Sequence, residues 1–189
     1  MIIFQENFNN LVEMFNISTR DNIPFIFPTD TIYGIGAPIS SIIANTEIYN
    51  IKKRPTNKPF PILVGSFEQA EVIADFSSLK KENYDFFKEN YDKYATFIIN
   101  AKDINPFYTT DNKVAIRIPS KKVLANAILE FGIPITATSV NLSGENFEND
   151  FKSIINKFND LKLFTYGKCN LNINSSIYDI SGDLVKKIR

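Results

Sequence analysis

The chain has 189 residues, 44% of them hydrophobic and 22% charged, which is typical of an ordinary soluble globular protein and excludes a disordered chain or a coiled coil. Lysine plus arginine equals aspartate plus glutamate at 21 each, which excludes a global positive field for nonspecific nucleic-acid binding. Histidine is absent and cysteine occurs once, so Ser-His-Asp catalysis, Cys-His catalysis, histidine-ligated zinc and an internal disulfide are also excluded.

The length and the N-terminal composition set the expected organisation. A chain of this length buries roughly two thirds of its unfolded surface, so we expect one domain over residues 1–189. No segment approaches the ~20 apolar residues of a membrane span, and the first residues lack a signal-peptide pattern. The single cysteine, Cys169, suits a reducing compartment. We therefore predict a cytoplasmic protein that does not associate with a membrane.

The N-terminal part of the chain predicts a helix, a strand, a loop and a second helix, in that order. Apolar residues recur at helical spacing from Phe4 to Phe15, and the first proline ends this pattern. The apolar run Ile23–Phe27 predicts a buried strand. The segment Thr29–Pro38 contains two glycines and predicts a loop, and a helix is predicted over Ser41–Lys53.

The rest of the chain alternates strands and helices without a regular repeat. Strands are predicted over Ile62–Val64, Thr96–Ile99, Val114–Ile118, Ile133–Thr138, Leu161–Thr165, Ile177–Ile180 and Leu184–Ile188. Helices are predicted over Phe67–Ala74, Leu79–Tyr91, Val123–Phe131 and Phe147–Phe158. The irregular order predicts an α/β fold, a single domain with a twisted mixed β-sheet and flanking helices, rather than a doubly wound one.

The first motif that could carry chemistry is PTDTIYGIGA, which spans Pro28 to Ala37 at the end of a predicted buried strand. Hydroxyls, a carboxylate and glycines at a strand end are typical of sites where α/β proteins bind small polar ligands. A turn capped by its threonine and aspartate side chains is an equal alternative. Neither a GxGxxG loop nor a Walker sequence is present.

The second motif, KKRPTNKP, places four cations, Lys52, Lys53, Arg54 and Lys58, within seven residues at a predicted helix end. Such a cluster suits a triphosphate, and its two prolines stiffen the loop that carries the cations. The alternative is a solvated helix end whose cations complement the helix dipole.

The third motif is TATSVNLSG, in which Ser139, Asn141 and Ser143 would share one face if the strand geometry continued. Three such side chains could hydrogen-bond phosphate oxygens, although a Ser/Asn turn closed by glycine is an alternative. A serine nucleophile is a further possibility. Without histidine it would need a lysine base such as Lys58, as in a Ser-Lys amidohydrolase.

The fourth motif, KVAIRIPS, predicts a strand in which Arg117 faces away from its apolar neighbours Val114, Ile116 and Ile118. An arginine at this position could bind a carboxylate or a phosphate through two parallel hydrogen bonds. It could equally lie on a solvated face of the sheet.

Taken in this order, the four motifs resemble those of the YrdC/TsaC family of threonylcarbamoyl-AMP synthases, and the likeness runs from about Ile23 to Arg189. The segment PTDTIYGIGA resembles the family's PT(D/E)TxYGLGA element, and KKRPTNKP resembles its KxRPxxKP element. The segment KVAIRIPS resembles the family's VAxRxP element, and TSVNLSG resembles its SAN-SG element. The resemblance implies a YrdC-like (α+β) fold with a central concave cavity.

The resemblance also implies the site residues and the reaction. Lys52, Arg54, Ser139 and Asn141 would form the catalytic constellation around the ATP phosphates. The set of residues implied for ATP adds Lys58 and Arg189, and the set implied for threonine is Thr31, Arg117 and Ser176, the last from the pair Ser175-Ser176. Magnesium would arrive on the ATP phosphates, without protein ligands.

The implied product is threonylcarbamoyl-AMP, made with pyrophosphate from ATP, L-threonine and bicarbonate or carbon dioxide for the modification of tRNA adenosine. Downstream tRNA threonylcarbamoyl transferase proteins would then be partners, and tRNA itself is a further candidate. A non-catalytic module that binds double-stranded RNA or tRNA is the main alternative, and the zero net charge argues against it.

The chain departs from the family pattern at three places. A Pro-Gly-Pro turn is common before the residue equivalent to Thr96, where this chain has Lys93-Tyr94-Ala95. The family's Ser-Pro-Thr after the SAN-SG element is replaced by residues 145–150. We also expect this protein to lack the extra C-terminal domain of longer relatives.

Overall fold

A computed structural model describes residues 1–171 and 173–189 and has the predicted mixed α/β architecture. The strands are β1 (Ile2–Gln5), β2 (Phe25–Pro28), β3 (Tyr33–Gly36), β4 (Ile62–Leu63), β5 (Ala95–Asn100), β6 (Lys113–Arg117), β7 (Ile135–Thr136), β8 (Thr138–Ser139), β9 (Leu163–Tyr166), β10 (Ser176–Asp179) and β11 (Lys186–Lys187). The α-helices are α1 (Phe8–Asp21), α2 (Ile42–Lys52), α3 (Phe67–Ile73), α4 (Lys81–Asn90), α5 (Lys122–Phe131) and α6 (Phe151–Lys157).

The strands form two mixed sheets. The first sheet has the order β1-β9-β2-β3-β8, in which β2 pairs parallel with β9 and antiparallel with β3. The second sheet has the order β11-β10-β5-β6-β4-β7, in which β5 pairs antiparallel with β6 and parallel with β10. Both sheets therefore combine parallel and antiparallel pairs, as the irregular order of elements predicted.

The segment from Ile135 to Ser139 passes from one sheet to the other. Its first part, β7, pairs with β4 of the second sheet, and its second part, β8, pairs with β3 of the first sheet. The single strand predicted over Ile133–Thr138 is thus two short strands. Because β8 ends between the sheets, the polar residues that follow it are held where the two sheets meet.

Helices α1 and α5 pack against each other over an apolar core that both sheets share. Leu11 and Phe15 of α1 and Leu124 and Ile128 of α5 are buried in one cluster with residues of β2, β4, β7 and β9. Phe15 also stacks at a tilt against Phe25, with ring centroids 5.3 Å apart. This shared core fixes one sheet relative to the other and so fixes the space between them.

Two segments differ from their predicted secondary structure, each because tertiary pairing outweighs local preference. Residues from Phe4 onward fit a helical spacing, but Ile2–Gln5 pairs in parallel with β9 as an edge strand, and the helix begins at Phe8. The predicted loop over Thr29–Pro38 contains β3. Glycine is poor in strands, yet a Cβ on Gly36 would overlap the carbonyl oxygen of Thr136, so this close approach requires glycine.

Several helices and strands are shorter than predicted. Helix α6 begins at Phe151, where the side chain of Asp150 accepts a hydrogen bond from the amide of Ser153 as an N-cap. The last predicted strand, Leu184–Ile188, is reduced to the two residues of β11. Among the described residues, no helix is both long enough and apolar enough to cross a membrane.

Candidate functional site

A cavity of about 300 Å³ lies between the two sheets. Its walls include residues of β3 and β8 from the first sheet and of β4, β5, β6 and β10 from the second. The polar side chains that line it are those of Thr29, Thr31, Tyr33, Arg54, Thr96, Arg117, Thr138, Ser139, Asn174, Ser175 and Arg189. Three of these are arginines, and no described carboxylate side chain lines the cavity, so the cavity favours anions.

Arg117 projects from β6 into this cavity, on the face opposite its buried neighbours Val114 and Ile116, as the alternation predicted. Its side chain is 8% exposed and forms a salt bridge of 2.7 Å between Nη2 and Oδ1 of Asp30, whose side chain is 1% exposed. Nη1 also donates to Oγ1 of Thr31 at 3.2 Å. Among the described residues nothing accepts a hydrogen bond from the buried Nε. This donor is unsatisfied but is itself buried, so a ligand would contact the part of the guanidinium that lines the cavity.

Asp30 explains how an arginine can be held at this depth. Its Oδ1 accepts from Arg117, and its Oδ2 accepts from the amide of Ser120 at 2.8 Å. A buried charge is tolerated only when it is paired and hydrogen-bonded, and both conditions are met. The motif predicts that Asp30 caps a turn or faces a small polar ligand, and neither alternative identifies Arg117 as its partner, although a carboxylate that follows a buried strand is a signal for such a pairing.

Arg54 reaches the cavity from the loop after α2. Its Nε donates to the carbonyl oxygen of Lys58 at 2.8 Å, and its guanidinium lies 5.2 Å from the ring centroid of Phe60. These contacts orient the side chain, while its terminal nitrogens have no hydrogen-bond partner in the described part of the chain. Burial lowers the pKa of Arg54 below the ordinary arginine value, but arginine stays protonated at neutral pH.

Arg189 and Ser175 contribute the third cation and a hydroxyl. Nε of Arg189 donates to the carbonyl oxygen of Ser175 at 3.1 Å, and Oγ of Ser175 lies 3.1 Å from Oγ1 of the buried Thr96. Burial, and then the positive charge of Arg117, lower the pKa of Arg189. Two guanidinium groups therefore lie close enough to repel each other, which an anion bound between them would relieve.

Thr96 lies in the cavity wall although the chain lacks the family's Pro-Gly-Pro turn before it. Tyr94 supplies the turn instead, with a left-handed φ of 56°. Its carbonyl oxygen accepts from the amide of Ser176 at 3.2 Å, which ties the turn to β10. The different local sequence therefore keeps Thr96 beside Ser175.

Ser139 is the last residue of β8 and lines the cavity, whereas Asn141 does not. The extended geometry that would align Ser139, Asn141 and Ser143 ends at Ser139, because the amide of Asn141 turns back to the carbonyl oxygen of Ser139 at 3.1 Å. Oγ of Ser139 donates to Oδ1 of Asn141 at 2.6 Å. An amide oxygen is not a base, so this contact orients the serine and does not activate it as a nucleophile.

Lys52 lies behind this wall. Only 2% of the residue is exposed, and its Nζ donates to the carbonyl oxygens of Ser139 at 2.6 Å and Asn141 at 2.7 Å and to Oδ1 of Asn141 at 2.9 Å. Burial, reinforced by the charge of Arg54, lowers the pKa of Lys52 to about 8. Lys52 and Asn141 are thus brought together with Ser139, but neither lines the cavity.

Two other predicted site residues do not line the cavity. The side chain of Lys58 is exposed, while its carbonyl oxygen orients Arg54. Ser176 is one residue away from the cavity-lining Ser175, and successive side chains of a strand point to opposite faces. Ser175 is therefore the member of the pair that reaches the cavity, together with Ile177. Two adjacent serines in a sequence do not show which of them faces the cavity.

A second cavity of about 580 Å³ lies on the other side of Tyr33, a residue that lines both cavities. The second cavity is lined by Asn149, Asp150, Phe151, Lys152, Tyr166, Gly167, Lys168 and Cys169. The hydroxyl of Tyr33 donates to the carbonyl oxygen of Gly167 at 2.6 Å and fixes the ring between the cavities. No residue predicted for the site lies in this second cavity.

Comparison with known proteins identifies the fold and its relatives. A family model described as "Sua5_yciO_yrdC: Telomere recombination" matches residues 19–189. A putative threonylcarbamoyl-AMP synthase of Methanocaldococcus jannaschii is 32% identical over 165 residues, which cover 85% of this chain and 76% of that protein. A threonylcarbamoyl-AMP synthase of Wigglesworthia glossinidia brevipalpis is 30% identical over 152 residues, which cover 79% of this chain and 78% of that protein.

Solved structures share the fold at lower identity. P. abyssi Sua5 complexed with L-threonine superposes with a TM-score of 0.86 at 23% identity, and E. coli YciO with a TM-score of 0.84 at 20% identity. Both matches cover 100% of this chain. The chain spans 57% of the length of that Sua5 chain and 92% of the YciO chain.

Proposed function

This chain belongs to the Sua5–YciO–YrdC family, and we propose that it is a threonylcarbamoyl-AMP synthase. Its substrates are ATP, L-threonine and bicarbonate or carbon dioxide, and its products are threonylcarbamoyl-AMP and pyrophosphate. The adenylate is an activated donor for tRNA adenosine, so tRNA threonylcarbamoyl transferase proteins are the downstream partners.

The observation that carries this proposal is the convergence of three guanidinium groups on one cavity. The loop after α2 supplies Arg54, the central strand β6 supplies Arg117, and Arg189 is the last described residue. All three line the same cavity of about 300 Å³. The names of the relatives and the threonine bound to P. abyssi Sua5 point to the same class of ligand. A cavity with three cations suits a reaction between two anions.

Charge repulsion is the main barrier to the proposed reaction. The threonine nitrogen captures carbon dioxide and loses a proton to solvent, which leaves a carbamate. A carbamate oxygen then attacks the α-phosphorus of ATP, and the bond from this phosphorus to the bridging oxygen breaks to release pyrophosphate. Both partners are negatively charged, so fixed cations lower the barrier by positioning and charge stabilisation, without histidine or a covalent enzyme intermediate.

The residues that line the cavity contact different parts of the two substrates in this proposal. Arg117 lies beside Thr31, and the part of its guanidinium that lines the cavity can bind the threonine carboxylate while Thr31 contacts the amino acid. Arg54 projects its unpartnered terminal nitrogens from the loop after α2 and can bind phosphate oxygens, with Arg189 on the nucleotide side. Ser139 also lines the cavity, and its hydroxyl would have to leave Oδ1 of Asn141 to donate to a phosphate oxygen.

Magnesium enters this scheme as part of the MgATP substrate. The described residues contain no group of three or more acidic, histidine or cysteine side chains arranged to hold a metal ion. No described carboxylate lines the cavity, so its donor set suits the phosphates and not the cation. The chain's own part is then to hold the phosphate oxygens that the cation leaves free.

Apolar residues of the second sheet complete the cavity and favour the short-lived carbamate. Leu63, Ile98, Ala115 and Ile177 line it beside the arginines. A carbamate loses carbon dioxide readily in water, so walls that exclude water preserve it. The same low-polarity surroundings strengthen the interactions of the arginines with anions.

The direct test is pyrophosphate release by the purified protein in the presence of MgATP, L-threonine and bicarbonate. We expect release only when all three are present, together with an adenylate that carries the carbon label of bicarbonate. Omission of threonine and omission of bicarbonate serve as matched controls. Pyrophosphate release that does not depend on threonine would contradict the proposal.

A further inference from the structure

The hydrogen bonds of Lys52 suggest a task other than contact with the nucleotide. A lysine ammonium has three N–H donors and no acceptor. In this protein all three donors are used, on the carbonyl oxygen of Ser139 and on two oxygens of Asn141, at 2.6 to 2.9 Å. The residue is 2% exposed and does not line the cavity. A phosphate could be bound only by breaking contacts that are already made.

The acceptors of Lys52 have a common position. They belong to Ser139, the last residue of β8, and to Asn141, two residues beyond it, where the chain leaves the sheet. The main chain of Lys52 bonds to the same segment, because its carbonyl oxygen accepts from the amide of Ser143 at 2.9 Å. The carbonyl oxygen of Ser139 also accepts from the amide of Asn141, but among the described residues Lys52 is the donor to the carbonyl oxygen of Asn141, and losing a donor to such a partly buried oxygen is costly.

Lys52 also stands at the end of α2, two residues before Arg54. Lys53 ends the helix with a left-handed φ of 50°, and the amide of Arg54 donates to the carbonyl oxygen of Tyr49 at 3.0 Å. The helix end therefore fixes Arg54 on one side and, through Lys52, fixes Ser139 on the other. Arg54 and Ser139 both line the same cavity.

We propose that Lys52 is a positioning residue, whose ammonium clamps the segment Ser139–Ser143 to the end of α2 and so sets the distance between Arg54 and Ser139. It does not touch the nucleotide, in contrast to the role that family resemblance implied. This inference rests on the proposed function for its effect on turnover. The clamp itself is defined by contacts within the chain and can be measured without activity.

Kinetics separate a clamp from a phosphate contact. Lys52→Met keeps the length of the side chain and removes the three donors, and Lys53→Met is the matched control because Lys53 is an exposed neighbour of the same charge. We expect Lys52→Met to lower kcat about 30-fold while the KM for MgATP changes less than about threefold. Lys53→Met should keep wild-type values. An increase in KM for MgATP that accounts for the whole loss would overturn the proposal.

A double-mutant cycle with Asn141→Ala tests whether Lys52 acts through its partner. Asn141→Ala removes the side-chain acceptor Oδ1 and leaves both carbonyl acceptors of Lys52, so the cost of Lys52→Met should be about threefold smaller in this background than in the wild type. A direct phosphate contact would make the two effects multiply independently. Equal costs of Lys52→Met in both backgrounds would therefore overturn the clamp.

Two measurements without turnover keep this proposal separate from the proposed function. Amide hydrogen exchange over residues 140–143 should be about tenfold faster in Lys52→Met and unchanged in Lys53→Met. In the wild type labelled with ¹⁵N at lysine Nζ, the Lys52 signal should stay unshifted when MgATP or pyrophosphate is added. Unchanged exchange, or a shift of that signal to a phosphate-bound position, would overturn the clamp. Absence of threonine-dependent pyrophosphate release would defeat only the proposed function.

Discussion

Replacement of Arg54 with alanine is expected to reduce kcat about 100-fold to 1,000-fold, the usual cost of losing one group that stabilises charge in a transition state. The reason is that the terminal nitrogens of Arg54 face the cavity and have no partner among the residues that the structure describes, so the charge it would neutralise belongs to the substrate. The change should leave the fold intact, because the contacts of the Arg54 side chain within the described part of the chain are one carbonyl oxygen and one aromatic ring. Steady-state pyrophosphate release measures the effect.

Arg54→Lys is the matched variant for this prediction. It keeps the charge but loses the planar fork that binds two phosphate oxygens, so we expect an intermediate rate. Thermal unfolding of both variants controls for the fold. Wild-type turnover in Arg54→Ala would remove Arg54 from the mechanism.

Replacement of Arg117 with methionine should affect both stability and activity. The change leaves Asp30 as a buried charge without its partner, and breaking such a pair typically costs about 3–5 kcal/mol of unfolding free energy. It also removes the guanidinium proposed to bind the threonine carboxylate. We expect a lower midpoint in chemical denaturation and a reaction that threonine no longer saturates at wild-type concentrations.

A double variant separates these two effects. Asp30→Asn combined with Arg117→Met removes both charges, and the new asparagine oxygen can still accept from the amide of Ser120. Stability should therefore recover in part while threonine saturation does not. If the single variant Arg117→Met binds threonine as the wild type does, Arg117 is not the carboxylate site.

Local pattern was enough to predict the class of fold and much of the cavity. The alternation of β6 placed Arg117 opposite Ile116 because side chains of a strand point to opposite faces, and the structure confirms this arrangement. The motifs around Thr31, Arg54 and Ser139 do line one cavity. Their convergence followed from resemblance, because no local pattern reveals which distant segments meet.

The remainder depended on contacts between distant segments. The division into two sheets is set by the segment Ile135–Ser139, which pairs first with β4 and then with β3, and neither partner is encoded in that segment. Lys52 and Arg54 are indistinguishable as cations in the sequence, yet one is buried against carbonyl oxygens and the other faces the cavity. Lys52 is the last residue of α2, and the left-handed φ of Lys53 turns the chain before Arg54, so the two side chains point in different directions.

The structure of the protein in complex with MgATP and L-threonine tests the central claim most directly. That claim is that separate segments bring Arg54, Arg117 and Arg189 to one cavity in order to hold two anions together. The account predicts phosphate oxygens within about 3 Å of the Arg54 guanidinium and the threonine carboxylate within about 3 Å of Arg117. Nucleotide bound instead in the second cavity, beside Lys152 and Lys168, would contradict it.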